Sequence, residues 1–243
     1  MKKMKEVYNQ TSTNYMSVTE HLGELRERIL TAFLGFCITT IICLAYSKQL
    51  TFILQKPAIG IKFLQLAPGE YLFVSIKIAI YSGIVLSSPF SIYQIMLFIL
   101  PGLTKKESNY ILPIIIGSII LFFVGLSFSY KVLIPAALNF LIQYGSDIIE
   151  PIWSFEEYIN FIILLLLNTS ISFQIPILQI LLGITNIINR ENMLKYWKYI
   201  VFISTIIGAI ITPSTDPITQ IFMTTTIMLL YFSGILILKI LNK

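Results

Sequence analysis

Charge is scarce in this 243-residue chain, where Asp, Glu, Lys and Arg together make up 12% of the residues, against about 25% in soluble domains. Histidine is nearly absent, with His21 alone, and there are two cysteines, Cys37 and Cys43. These counts exclude a Cys/His zinc cluster and a C-x-x-C redox pair. The cysteines lie six apart in one apolar run, which on a helix separates them by about 9 Å along the axis, too far for a disulfide. Also missing are G-x-x-x-x-G-K, H-E-x-x-H and G-x-S-x-G, the phosphate loop, zinc hydrolase and serine elbow patterns. No cofactor is implied. No clear apolar run holds an acidic residue in its middle, as a proton- or ion-coupled carrier usually does. These absences argue against an enzyme and weaken a carrier.

What is abundant is apolar surface. Hydrophobic residues make up 56% of the chain, and the mean hydropathy is +0.82. That excess rules out disorder and an ordinary water-soluble globule, because one core of this size cannot hide it. The expected fold is an all-α membrane protein. Spanning takes about 17–25 mostly apolar residues, and six candidates appear at about 29–47, 72–99, 110–134, 159–183, 197–212 and 218–238. The fifth is the shortest. Residues 1–16 read as a disordered tail and 17–240 as a single six-span domain. No cleavable signal peptide is evident, since a long polar stretch separates the basic start from the first apolar run. Ile outnumbers Ala 47 to 8 and Lys outnumbers Arg 14 to 3, a bias typical of AT-rich coding sequence.

The charges are unevenly placed. With the N-terminus inside, twelve of the seventeen basic residues fall on the inner side, including Arg26, Arg28, Lys105, Lys106, Arg190 and Lys195. Lys48, Lys56, Lys62, Lys77 and Lys131 fall outside, the last two at helix ends where they can snorkel. This agrees with the positive-inside rule and puts both termini on the cytoplasmic or stromal side. The net charge of +5 is therefore a topology signal, and nucleic acid is the poorer partner. Pro89, Pro113, Pro135, Pro176, Pro213 and Pro217 mark the spans. Interior prolines kink helices, so a concave, cupped bundle is expected, a few harmless kinks being the plainer alternative. The long loops are read at about 48–71, which holds Pro57, and 135–158, whose Glu156, Glu157, Trp153 and Tyr158 suggest an acidic cap over an aromatic belt.

Two stretches carry the functional signal. In Ser17-Val-Thr-Glu-His-Leu-Gly-Glu-Leu-Arg-Glu-Arg28, Ser17 and Glu20 have capping-box spacing. Val18, Leu22, Leu25 and Ile29 form an apolar stripe at helical spacing. Glu20, Glu24 and Glu27 lie on the other side, and Glu24 with Arg28 is an i,i+4 pair. By itself this is an interfacial helix leading into the first span. The second stretch is Ser88-Pro-Phe-Ser-Ile-Tyr-Gln94 followed by Phe98-Ile-Leu-Pro-Gly-Leu-Thr-Lys-Lys-Glu107. Pro101-Gly102 is a turn signal, with Phe98 and Leu103 at the membrane face and Glu107 entering the next helix.

Together they resemble the TatC family, the multispanning core of the twin-arginine protein translocase, in a plastid-encoded form. His21, Leu22, Glu24, Leu25, Arg26 and Arg28 match its H-L-x-E-L-R-x-R pattern. Pro89, Tyr93, Gln94, Phe98, Pro101, Leu103 and Glu107 match its loop pattern. Ser172-Phe-Gln-Ile-Pro176 and the segment around Asp216, between Pro213 and Pro217, look like its fourth-span and last-loop motifs. The resemblance implies a receptor for signal peptides with paired arginines, bound through Glu24, Arg26, Phe98, Leu103 and Glu107 at the cytoplasmic or stromal face. It further implies an oligomeric complex with TatA-type and TatB-type single-span partners, driven by the proton-motive force, in the thylakoid membrane or a bacterial inner membrane. Glu24 and Glu107 sit on one side, so two carboxylates can meet two guanidiniums, bidentately in the best geometry. Pro57, Pro101 and Asp216 are expected in structural loop positions. In the fourth span the family often carries an acid, whereas Gln174 stands here. With Ser172 and Pro176 it serves either as intramolecular helix glue or as a partner-helix docking site. A small-solute or ion transporter is the alternative function.

Overall fold

The computed structural model describes residues 18–58, 60–103, 107–145, 152–211 and 217–241. Ten α-helices are formed by these residues: α1 (Val18–Ala45), α2 (Ser47–Gln55), α3 (Glu70–Ile99), α4 (Ile111–Phe128), α5 (Ile134–Gly145), α6 (Phe155–Ser172), α7 (Ile175–Ile184), α8 (Arg190–Lys195), α9 (Trp197–Ile211) and α10 (Pro217–Ile240). A small parallel pair, β1 (Lys62–Leu64) and β2 (Ile152–Ser154), lies at one end. Five helical segments are long and apolar enough to cross a bilayer: Thr19–Ala45, Glu70–Gly102, Ser108–Tyr144, Phe155–Ile184 and Pro217–Ile240. The shorter α9 has 15 residues, or about 22 Å at 1.5 Å per residue, below the roughly 30 Å hydrocarbon thickness. Cys37 and Cys43 are free thiols.

The structure departs from the sequence expectations in four places. The third span does not stop near 134 but runs on to Tyr144. The expected break at Pro135 is absorbed by a π turn over Ser129–Leu133. That leaves Pro135 in the first turn of α5, where a missing N–H costs nothing. The fourth span is broken instead, between Ser172 and Ile175, with Pro176 in the first turn of α7. The stretch read as a loop at 48–71 contains α2 and β1, and the one at 135–158 contains α5 and β2. An all-α description thus gains one short sheet, pairing Phe63 with Trp153 across ninety residues of chain. Pro89 sits inside α3 without ending it, and Pro57 is half-buried in the turn after α2.

Close approaches set the packing. Helix α1 lies antiparallel along α3, with successive contacts at His21–Phe98, Arg28–Gln94, Gly35–Phe90 and Thr40–Gly83. The crossing at Gly83 is tight: a Cβ there would lie 2.2 Å from Thr40 Oγ1 and 3.0 Å from Thr40 Cα. Thr39 Oγ1 also donates to the Gly83 carbonyl at 3.1 Å. Small residues let helix backbones approach this way inside membranes, where dispersion and hydrogen bonds replace the hydrophobic effect. Helices α7 and α10 run parallel, with Gly234 against Gln179 and Gly183 against Leu238. The main core is formed by Val74, Ile78, Leu133, Ile134, Leu138, Ile159, Ile162 and Leu165.

The β1–β2 end is tied by polar contacts. Buried Glu70, in the first turn of α3, accepts from the Leu66 N–H at 2.6 Å, the Ala67 N–H at 3.1 Å and the Glu156 N–H at 3.1 Å. Lys77 pairs with Glu156 and reaches Asn160, so this lysine is engaged within the fold. The Tyr130 and Tyr158 hydroxyls donate to the carbonyls of Ile53 and Leu54, each at 2.7 Å. Trp153 stacks beside Tyr158.

Candidate functional site

The other end of the bundle gathers the two sequence stretches. Because α1 and α3 are antiparallel, the start of α1 faces the last turns of α3, and one patch forms from both. The His21 and Phe98 rings stack with centroids 4.3 Å apart and 14° between planes. One turn further, Arg28 Nη2 donates to Glu24 Oε1 at 3.1 Å, and Arg28 Nη1 donates to Gln94 Oε1 at 3.4 Å. The Glu24–Arg28 pair is the i,i+4 pair expected on a helix. Gln94 is buried, with 6% of its surface exposed. The Glu24 side chain is 18% exposed, and its second oxygen, Oε2, is buried without a hydrogen-bond partner.

The apolar stripe read on this helix does not face the protein. Leu22 and Ile29 are exposed, Leu25 is half-buried, and the side turned to α3 carries His21, Glu24 and Arg28. The reason is the partner surface: α3 offers Gln94 and Phe98 there, and polar groups find polar groups. Arg26 is exposed, roughly 200° round the helix from Glu24 at 100° per residue. The structure therefore puts Glu24 and Phe98 in one patch, joined through Arg28 on Gln94 and His21 on Phe98, but leaves Arg26 on another face.

Beyond Phe98, a 3₁₀ turn over Leu100–Gly102 ends the span, with Pro101 in its first positions. Half-buried Leu103 packs into an apolar cluster with Met96, Ile111 and Ile114. Glu107 is half-buried and directly precedes a 3₁₀ turn, Ser108–Tyr110, that leads into α4. It therefore sits at the same end of the bundle as Glu24.

The second set of expected residues lies in the break of the fourth span. The Ser118 hydroxyl donates to Gln174 Oε1, and Gln174 Nε2 donates to the Ser118 carbonyl at 3.2 Å. Ser172 is buried and donates back to the Asn168 carbonyl at 2.8 Å. Pro176 is buried against α10 near Gly234. These contacts are intramolecular and tie α4 to the α6–α7 break. The exposed apolar residues of this span are Leu164, Ile171 and Leu178. Asp216 falls outside the described residues.

Sequence reasoning matched His21, Arg28 and Gln94 to motifs but gave them no role at the site. The available signal was spacing: His21, Glu24 and Arg28 share one face of α1 at i, i+3 and i+7, while Gln94 and Phe98 share one of α3 at i and i+4.

The chain is similar to known proteins in sequence and in fold. The family model described as Sec-independent protein translocase protein (TatC) matches residues 20–225. A tatC-like protein ycf43 of Gracilaria tenuistipitata var. liui is 67% identical over 94% of this chain and 96% of its own. The Sec-independent protein translocase protein TatC of Synechocystis sp. (strain ATCC 27184 / PCC 6803 / Kazusa) is 46% identical over 94% of this chain and 90% of its own. A crystal structure of a twin arginine translocase receptor, TatC, superposes with a TM-score of 0.81 at 33% identity, covering 92% of this chain and 100% of that one. With the polar patch of α1 and α3 and the helical architecture, these matches make the chain a member of the TatC family of Sec-independent protein translocase proteins.

Proposed function

We propose that this chain is the receptor subunit of a twin-arginine translocase, binding twin-arginine signal peptides at the cytoplasmic or stromal end of the bundle. The observation that carries this reading is the Glu24 carboxylate, with one oxygen held by Arg28 and the other buried and without a hydrogen-bond partner. A buried carboxylate oxygen without a donor has lost its water and gained nothing, so a guanidinium N–H supplied by a ligand is strongly favoured there. Phe98 and Leu103 offer apolar surface beside it, and Glu107 supplies the second acid for the second arginine. The likeness to the crystal structure of a twin arginine translocase receptor supports the same role.

In this reading α9 completes six crossings, and an even number of crossings puts both termini on the peptide-binding side. The kinks at the π turn and at the fourth-span break curve the bundle into a cup. The chain recruits TatA-type and TatB-type helices along its exposed apolar faces, and the complex exports folded proteins using the proton-motive force. The plastid thylakoid membrane is its site, in keeping with the ycf43 relatives and a chloroplastic TATC of Pisum sativum that is 43% identical over 94% of this chain and 65% of its own. The test is charge reversal at Glu107. In crosslinking of a photoreactive twin-arginine peptide to the full chain in membranes, Glu107→Lys abolishes labelling. Undiminished labelling would remove Glu107 from the site.

A further inference from the structure

We infer that Arg28 and Gln94 form a positioning pair that makes Glu24 prefer a guanidinium to an ammonium. This rests on the reading of Glu24 as a peptide-binding residue. The guanidinium of Arg28 bridges two helices: Nη2 holds Glu24 Oε1 on α1 at 3.1 Å, and Nη1 reaches Gln94 Oε1 on α3 at 3.4 Å. A planar fork can serve two acceptors in fixed directions, whereas a lysine offers one rotatable point charge. Gln94 is buried, so its amide oxygen is a fixed stop that sets the plane of the Arg28 fork. That fork in turn sets the rotation of the Glu24 carboxylate. One carboxylate oxygen is thereby taken, and the other, Oε2, is held buried and without a donor.

Two consequences follow for an incoming cation. It must displace the side chains that cover Oε2, and with Oε1 held by Arg28 the fork-to-fork arrangement expected from the sequence is replaced by an end-on approach to Oε2. It must also shed water and sit near the Arg28 charge. A guanidinium is weakly hydrated and spreads its charge over a plane, whereas an ammonium is strongly hydrated and concentrates it. The water-poor position of Oε2 therefore penalises lysine more than arginine. Arg28 and Gln94 touch no ligand in this scheme. They act through Glu24.

The experiment compares the full chain in lipid nanodiscs with its Arg28→Lys, Gln94→Leu and Glu24→Gln variants. Affinities are measured for a twin-arginine signal peptide and its twin-lysine counterpart. Arg28→Lys keeps the charge but cannot bridge both acceptors, and Gln94→Leu removes the stop. Each lowers twin-arginine affinity by roughly ten-fold, the effect of one misdirected charge-assisted hydrogen bond, and leaves twin-lysine affinity nearly unchanged, so the ratio collapses. An unchanged ratio in the folded variants overturns the inference, as does tighter twin-arginine binding, which would make Arg28 a competitor of the ligand. Should Gln94→Leu fail to fold, Arg28→Lys decides alone. Glu24→Gln separates the two levels: full binding by that variant overturns the peptide-site reading itself. Lost binding there with an intact ratio in the others overturns only the positioning role.

Discussion

Glu24→Lys lowers the affinity of the full chain for a twin-arginine peptide below detection, while Glu27→Lys, three residues further along α1, leaves it within about two-fold. The asymmetry follows from surroundings. Glu24 lies against α3 with one oxygen bonded to Arg28 and the other buried, whereas Glu27 is exposed. Removing one partner of a desolvated charge pair costs about 2–5 kcal/mol of binding, and reversing its sign adds repulsion. A solvent-facing substitution usually stays within about 0.5 kcal/mol. Titration of a fluorescent peptide into both variants measures the difference. Equal loss in both would mean that the chain attracts the peptide by general surface charge.

Gly83→Leu has the second large effect. At Gly83 even a Cβ would lie 3.0 Å from the Thr40 Cα, so backbone as well as side chain must yield. Overpacking a close contact costs about 1–3 kcal/mol, and a leucine here falls at the upper end because α1 and α3 must part. Gly23, on the same α1, meets nothing within 4 Å, so Gly23→Ala leaves stability near its starting value. The functional consequence is longer range. The Gly83–Thr40 crossing fixes the register that sets His21 on Phe98 and Arg28 against Gln94. Gly83→Leu therefore lowers both the thermal midpoint in detergent and the peptide affinity, although it lies many turns from Glu24. A stable variant with full affinity would show that the crossing does not set the register.

Much of the site was legible because it is local. Helical spacing after Ser17 announces a helix, and α1 is formed over Val18–Ala45, Ser17 itself lying outside the described residues. Glu24 and Arg28 pair as their i,i+4 spacing predicts, and Pro101-Gly102 turns the chain at the end of the second span. What stayed hidden depends on contacts distant in sequence. Nothing near Gln94 says that its amide meets an arginine 66 residues earlier, and nothing in Lys62–Leu64 announces Ile152–Ser154 as its strand partner. Pro135 misled for another reason. Proline marks a missing N–H, but a π turn before it can supply the shift that keeps the helix going. The stripe of Leu22 and Ile29 left the inward face of α1 open, because lipid and protein both accept apolar side chains. Periodicity identifies a face, and only the neighbouring helix decides which face turns inward.

The family departure at Gln174 now has a structural setting. Its amide exchanges two hydrogen bonds with Ser118, closing the gap that the broken fourth span leaves opposite α4. Interhelical bonds of this kind contribute about 0.6–2 kcal/mol in membranes. A neutral amide meets that need without the cost of a buried charge.

In the proposed function the α1–α3 end of the bundle is the surface that reads paired arginines. Photocrosslinking from single positions in the full chain tests this, with a probe at Leu103, at the same end of the bundle as the patch, and another at Phe63 in the β1–β2 end. A twin-arginine peptide is expected to be labelled from Leu103 and not from Phe63, and a twin-lysine peptide weakly from either. Equal labelling of the two peptides from Leu103, or labelling from Phe63 alone, would contradict it.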